Sequence, residues 1–298
     1  MTMSRLTNWL PSEVSRAVRG WAWATWVVQV LIVVTGGAVR LTASGLGCPT
    51  WPRCTVDSLV TTPEMGIHGV IEFGNRLLTF VLVIVAIGTF LAVVRLRRER
   101  RDLFLFALLI GLGIPAQAVI GGISVLVNLN PYVVGMHFVV SALLIVLSTL
   151  LVTRVYGQGA LAPVGVVPVL AWTVAALQSV TVTVGILVTG SGPHAGDAQA
   201  PRNGLPSDVL QHVHSYPAYA ALLTTVILVI VSLRRDRSDV TRVALVLLCV
   251  NGVQAIVGVS QANLGLPELL VGIHMLLACL VVAGTTWLVS VARRLKRE

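Results

Sequence analysis

Eight long apolar stretches restrict this chain to folds that cross a lipid bilayer. Each has about 20 residues, the length at which a helix spans the hydrocarbon core. Backbone polar groups find no water inside a bilayer, so spanning segments of this length are helices. The sequence therefore predicts an all-α integral membrane protein with eight transmembrane helices, near 21–39, 67–94, 103–126, 132–153, 164–189, 209–233, 240–262 and 268–292. The first stretch follows a polar N-terminus without a small-residue cleavage site, so we expect a retained span rather than a signal peptide.

The positive charge of the chain indicates its orientation and not a nucleic acid partner. The formal net charge is +9, yet only 11% of the residues are charged, and most arginines lie between the apolar stretches. With eight spans the basic clusters all fall on one side: 5–19, 95–101, 154, 234–242 and 293–297. The positive-inside rule makes that side the cytoplasm. We therefore expect a multi-pass protein of the plasma membrane, surrounded by lipid, with both termini in the cytoplasm.

One segment of the sequence occurs twice, 137 residues apart, with a histidine at the same place in each copy. Gln117-Ala118-Val119-Ile120-Gly121 precedes Gly135-Met136-His137, and Gln254-Ala255-Ile256-Val257-Gly258 precedes Gly272-Ile273-His274. Histidines inside apolar spans are functional candidates, and their duplication indicates a bundle built from repeats. The pattern predicts either paired metal ligands or a proton path.

The repeat divides the chain into two pseudo-symmetric four-helix bundles. Four spans return the chain to the side where it started, so the halves are parallel. We predict a cytoplasmic tail at 1–20, a first half at 21–153, a linker at 154–163, a second half at 164–292 and a second tail at 293–298.

Two histidines of the second half are predicted to lie at one depth. At 1.5 Å per residue, His137 and His274 lie roughly 10 Å below the outer ends of their helices, and His214 reaches a similar level. Two neutral imidazoles opposed across a bundle suit bis-histidine haem ligation. His212 lies about 200° round the helix from His214, so both cannot bind one iron. We prefer His214 because its depth matches that of His274.

The first half has a glutamate where the second half has Gln211, and Asn75 where it has His214. Glu72 is a functional candidate because an ionisable group inside a span is costly. The alternative is that it only pairs with Arg76, one turn further on. His68 lies on the same stripe as Asn75 but about 10 Å nearer the outer surface, which makes it an awkward substitute for a ligand at 75.

Cys48 and Cys54 lie in the outward loop at about 40–66. The outer face of a bacterial-type membrane is oxidising, which favours a disulfide. A metal site is less favoured, because no histidine or third cysteine accompanies the pair. Whether such a disulfide has a redox role or only closes the loop stays open.

Two outward loops contain long and specific sequence strings. One is Thr35-Gly36-Gly37-Ala38-Val39-Arg40-Leu41-Thr42-Ala43-Ser44-Gly45-Leu46-Gly47-Cys48-Pro49-Thr50-Trp51-Pro52, and the other is Val188-Thr189-Gly190-Ser191-Gly192-Pro193-His194-Ala195-Gly196-Asp197. Together with Glu72-Phe73-Gly74-Asn75-Arg76 and both Gly-x-His helices, these loops resemble the haem A synthases, and the resemblance covers about 20–290. It implies a bacterial oxidoreductase that converts haem O to haem A for terminal oxidases, oxidising a peripheral methyl group to formyl by successive hydroxylations.

The resemblance also implies roles for individual residues. His214 and His274 would be the axial ligands of a resident haem b, and His137 would bind the iron of the substrate haem O. Glu72 would lie near the reacting methyl group. The loop cysteines match a pair found in many bacterial members.

Three further expectations complete this interpretation. The family usually has histidine at the position of Asn75, so the second ligand in the substrate half is open between a five-coordinate iron and His68. Arg40 and Arg76 are candidate partners of the haem propionates. The implied partners are haem O synthase and an electron-transfer protein.

Two other functions compete with this interpretation. A dihaem b-type electron-transfer subunit of the membrane would also carry histidines on facing helices, but it would not need Glu72. A transporter would explain the repeat and the buried glutamate, but not three histidines at one depth.

Overall fold

The computed structural model describes residues 10–157 and 165–293, and its regular secondary structure there is helical. The eight long helices are α1 (Arg16–Leu41), α2 (Gly66–Val93), α3 (Arg101–Leu126), α4 (Pro131–Val155), α5 (Val166–Ser191), α6 (Ser207–Arg234), α7 (Ser238–Asn263) and α8 (Glu268–Ala292). Short 3-10 turns, Pro63–Met65 and Val94–Arg98, flank α2. All eight helices are long and apolar enough to cross a membrane, which confirms the predicted spans.

The helices extend slightly beyond the apolar stretches that predicted them. α1 begins at Arg16 instead of 21, because the Ser15 hydroxyl caps it by accepting from the Val18 N–H and the helix continues through polar residues. Asn130 caps α4 in the same way, and Pro131 is its first residue. Parts of the predicted tails and linker, at 1–9, 158–163 and 294–298, lie outside the described residues.

Each half is a four-helix bundle in which consecutive helices pack and the last helix returns to the first. α1, α2, α3 and α4 form one ring of contacts, and α5, α6, α7 and α8 form the other. The halves meet through α4 against α8, with α1 against α8 on one side and α4 against α5 on the other. Exchanging the halves maps these contacts onto one another, so the interface has pseudo-twofold symmetry.

The repeat extends to one particular side of the membrane, on which the described chain begins and ends. We call it the terminal side. Arg100 and Arg237, 137 residues apart, each bind the aspartate two residues further on. Each also donates to a backbone carbonyl at the end of the last helix of its half, that of Arg154 at 2.7 Å and that of Val291 at 3.1 Å. Equivalent guanidinium groups therefore hold equivalent helix ends in both bundles.

Apolar packing is concentrated towards the terminal side in both bundles. In the first half the buried cluster draws on the ends of all four helices: Val18, Ala22, Ala92, Val93, Leu96, Leu103, Ala107, Ile110, Leu151, Val152 and Val155. The second half repeats this arrangement with Val167, Ala171, Val174, Leu228, Val229, Val240, Ala244, Leu247, Leu288, Val291 and Ala292. The opposite, loop side, which carries 42–65 and 192–206, is nearer to Glu72, His137, His214 and His274.

Candidate functional site

Buried polar atoms without a partner mark the bundle interiors. Among the described residues, the carbonyl oxygens of three glutamines and of Asn75, the Nδ1 atoms of two histidines, the Asn251 amide and the Thr285 hydroxyl are buried and unpaired. The glutamines and histidines are Gln117, Gln254, Gln261, His137 and His274. An unsatisfied buried polar group costs about 1–3 kcal/mol, so such a concentration indicates bundles that bind a further group.

The second half brings its two predicted ligands together. The rings of His214 on α6 and His274 on α8 have centroids 6.3 Å apart. The Nδ1–H of His214 donates to the Thr181 carbonyl at 2.9 Å, which leaves the Nε2 lone pair free for a metal. A metal–imidazole bond of about 2 Å puts each ring centroid roughly 3 Å from the metal, so two opposed imidazoles lie about 6 Å apart. The separation fits a shared iron.

His212 points away from this pair. Its side chain is exposed, and its Nδ1 bonds to the Asp208 carbonyl one turn earlier on the same helix at 2.7 Å. The structure therefore supports the choice of His214 over His212 as the residue that faces His274.

The duplicated glutamine and glycine form a socket for each repeat histidine. The Nε2 groups of Gln117 and Gln254 donate to the backbone carbonyls of His137 and His274 at 3.1 and 3.2 Å. A Cβ on Gly121 would stand 3.1 Å from the Cε1 atom of His137. A Cβ on Gly258 would stand at the same distance from the Cε1 atom of His274. The glutamine thus fixes the position of the histidine helix along the bundle axis, and the glycine leaves space for the histidine ring.

A third glycine socket and its hydrogen bond could not be recognised from the sequence. A Cβ on Gly185 would stand 2.9 Å from the Cε1 atom of His214, and Thr181 on the same helix accepts from that ring. Neither residue belongs to the duplicated segment. The only sequence signal was a glycine and a threonine one turn apart within α5.

In the first half, Glu72 and Arg76 hold the outer loop onto α2. Glu72 is 5% exposed; its Oε1 accepts from the Arg76 guanidinium, and its Oε2 accepts from the Cys48 backbone N–H. Arg76 also donates to the carbonyls of Cys48, Thr50 and Arg53 at 3.0–3.3 Å. The ion pair considered as the alternative for Glu72 is therefore present, and it also anchors the loop.

The anchored loop is closed by a disulfide between Cys48 and Cys54, as expected from the sequence. Trp51 in this loop lies where a Cβ on Gly122 of α3 would be. The preceding residue, Gly121, faces His137. Sequence reasoning did not single out Trp51 as a site residue. The loop thus covers the first bundle at the level of its repeat histidine.

The other two residues expected at the substrate site are engaged elsewhere. His68, at the start of α2, is exposed, and its Nδ1 bonds to the buried Ser44 hydroxyl at 2.9 Å. Arg40, at the end of α1, donates to the backbone carbonyls of Thr189 and His194 in the second half. Arg40 therefore links the halves in this structure.

These observations define a class of protein. It is a multi-pass membrane protein of two related four-helix bundles. One bundle contains an opposed histidine pair, and the other has a single repeat histidine beneath a loop that is anchored on a buried carboxylate.

Comparison with known proteins gives the family. Residues 19–202, more than half of the chain, match the COX15-CtaA model, described as cytochrome oxidase assembly protein, and the chain belongs to that family. It is 35% identical over 127 residues to the haem A synthase of Geobacillus thermodenitrificans (42% of this chain, 39% of the relative). It is 32% identical over 126 residues to that of Geobacillus kaustophilus, with the same coverage. The matches span about two fifths of the length of these relatives.

Proposed function

We propose that this protein is a haem A synthase, which oxidises a peripheral methyl group of haem O to the formyl group of haem A. The observation that carries the proposal is the asymmetry between the two bundles. An opposed pair, His214 and His274, suits a resident haem. The equivalent place in the other half combines one repeat histidine, His137, with a buried carboxylate, as suits a substrate that reacts and leaves.

The second half is the proposed haem b site. The unpaired Nδ1 of His274, the ring spacing and the glycine sockets all fit a bis-histidine haem. A haem bound there would supply one-electron transfer. The Thr181 carbonyl orients the His214 ring, and Gln254 holds the backbone of His274 in place.

The first half is the proposed haem O site, with His137 as the iron ligand. Each hydroxylation with the oxygen of water removes two protons and two electrons from the methyl carbon and the water together, and the proposed electron-transfer partner would accept the two electrons. Glu72 is the proposed acceptor of such a proton, and its charge would also stabilise positive charge developing on the methyl carbon. Arg76 forms an ion pair with this carboxylate and fixes it against the loop. Arg76 and Arg40 are the proposed partners of the haem propionates. To bind a propionate, each arginine would give up a hydrogen bond that it now donates to a backbone carbonyl.

We further propose that the loop side faces outward and both termini lie in the cytoplasm of a bacterial cell. This orientation is supported by the basic clusters on the terminal side and by the disulfide on the loop side. Haem O synthase and an electron-transfer protein are the proposed partners.

The proposal is tested in a bacterial host that makes haem O but has no haem A synthase. Expression of this chain should produce haem A, detected by chromatography of extracted haems, and the purified protein should carry one low-spin b-type haem. His274→Ala should remove that haem. The matched variant is His212→Ala, on the exposed side of α6, which should retain it.

Two outcomes would contradict the proposal. One is expression of intact protein without any haem A. The other is a stoichiometry of two resident b haems, which is the result that a dihaem electron-transfer subunit requires.

A further inference from the structure

We propose that the first-half site leaves one axial position of the haem O iron without a protein ligand, and that Asn75 faces this open position. The inference rests on the proposed function, because it concerns how the same site binds its substrate. It is specific to this chain, whose α2 has an amide at the position where α6 has an imidazole.

The internal repeat gives the position of Asn75. His214 and His274 lie on α6 and α8, which are diagonal in their ring of contacts, and their rings face each other. Asn75 and His137 hold the equivalent positions on α2 and α4, also diagonal, and His137 has the same glutamine and glycine socket as His274. Asn75 therefore faces His137 across the first bundle.

The chemistry of Asn75 makes it a poor ligand for haem iron. Carbonyl oxygens suit hard cations such as calcium and magnesium, whereas iron in haem is bound by imidazole, thiolate, thioether or phenolate. The Asn75 Oδ1 is buried and has no hydrogen-bond partner among the described residues. Its Nδ2 lies 4.0 Å from the place that a Cβ on Gly36 of α1 would occupy. The amide is thus free to form a hydrogen bond to a small molecule beside the iron.

Neither of the two other candidate donors on α2 replaces a ligand at 75. His68 is seven residues nearer the start of α2, about 10 Å along the helix, and its ring bonds to Ser44 in the outer loop. Glu72 is engaged on both oxygens, by Arg76 and by the Cys48 N–H. An iron held by His137 would therefore keep its opposite face open.

An open axial position has a functional consequence. A haem held by one protein ligand exchanges more readily than a haem held by two, which suits a substrate that enters as haem O and leaves as haem A. The second half, with two imidazoles, retains its haem. The two bundles then differ in the number of protein ligands to iron, because one bundle retains its haem and the other exchanges it.

Carbon monoxide tests the inference, since it binds ferrous haem only where an axial position is free. Reduced protein loaded with haem O should bind carbon monoxide at the haem O and not at the resident haem b, and the haem O should have a high-spin spectrum. Asn75→His should convert the haem O to a low-spin form and remove its carbon monoxide band. The matched control is His214→Asn, which should create carbon monoxide binding at haem b in the other half.

The wild-type spectrum alone decides the matter if a variant does not fold. A low-spin haem O that excludes carbon monoxide would overturn the inference. So would carbon monoxide binding that appears only in His68→Ala, because His68 would then be the second ligand. Failure of the proposed function is distinguishable: the protein would retain no haem O and form no haem A, with either asparagine or histidine at 75.

Discussion

At the scale of single residues, the burial of Glu72 is costly unless the charge is compensated. An ionised carboxylate leaves water only if charge and hydrogen bonds replace its hydration. Arg76 and the Cys48 N–H supply both, and the same guanidinium binds three loop carbonyls. A purely structural anchor would explain this geometry, so the catalytic role of Glu72 needs a variant that separates charge from anchoring.

Glu72→Gln should stop haem A formation while haem O binding and the second-half haem remain. The amide keeps an oxygen for the Cys48 N–H but can neither accept a proton nor balance positive charge, and the loss of a general base costs about 10²–10⁴ in rate. Turnover is measured by haem extraction after a fixed time. Arg76→Lys is the comparison, because it weakens the hydrogen bonds to the loop carbonyls and leaves the carboxylate in position. If Arg76→Lys still binds haem O but is as inactive as Glu72→Gln, anchoring is the better account of Glu72.

At the scale of helices, small residues decide how closely the histidine rings approach their neighbours. α5 contributes Gly185 against His214, and α7 contributes Gly258 against His274. Inside a membrane, close packing rather than the hydrophobic effect holds helices together, so a glycine at such a contact has a direct structural role.

Gly185→Ala should lower the occupancy of haem b without loss of protein. The added Cβ would stand 2.9 Å from the His214 ring and would displace it from its present position opposite His274. Gly252→Ala on α7, where nothing lies within 4 Å of the new atom, is the control and should leave occupancy unchanged. The measurement is the ratio of low-spin haem absorbance to protein. Equal ratios in both variants would mean that the socket does not position the ligand.

At the scale of the whole molecule, the halves are joined by packing in the membrane and by loop contacts outside it. Val30, Val33, Ile145, Cys279 and Ala283 form a buried cluster between the bundles. On the loop side, the Gly45 N–H donates to the Gly196 carbonyl, and Arg40 binds two carbonyls of the second half. The His194 ring in turn bonds to the Leu266 carbonyl just before α8, at 2.8 Å.

Arg40→Ala should therefore destabilise the whole protein and not only one half. Removal of a guanidinium that bridges two carbonyls should cost about 1–3 kcal/mol, because charge-assisted hydrogen bonds are lost and carbonyls are left unpaired. Arg53→Ala is the control, since the Arg53 side chain bonds only to Val56 in its own exposed loop. Thermal unfolding in detergent is the measurement. Equal midpoints for the two variants would show that Arg40 does not couple the halves.

The sequence alone determined the number of spans, the two halves and most of the candidate residues. Eight apolar stretches leave few folds open, because a backbone in lipid must satisfy its own hydrogen bonds. The helical rise is also regular enough that counting from Pro206 and Pro267 placed His214 and His274 at one depth, and they lie 6.3 Å apart. Repetition separated His137 and His274 from ordinary buried polar residues.

Only the tertiary structure decided what each polar group contacts. Residues far apart in the chain meet at Thr181 and His214, at Trp51 and Gly122, and at Arg40 and the second loop. These contacts depend on helix rotation and loop path, which no local pattern encodes. The sequence left Glu72 open between chemistry and an ion pair, and left His68 open as a ligand. The fold tied Glu72 to the loop as well as to Arg76, and it tied His68 to Ser44, because both residues lie beside the folded outer loop.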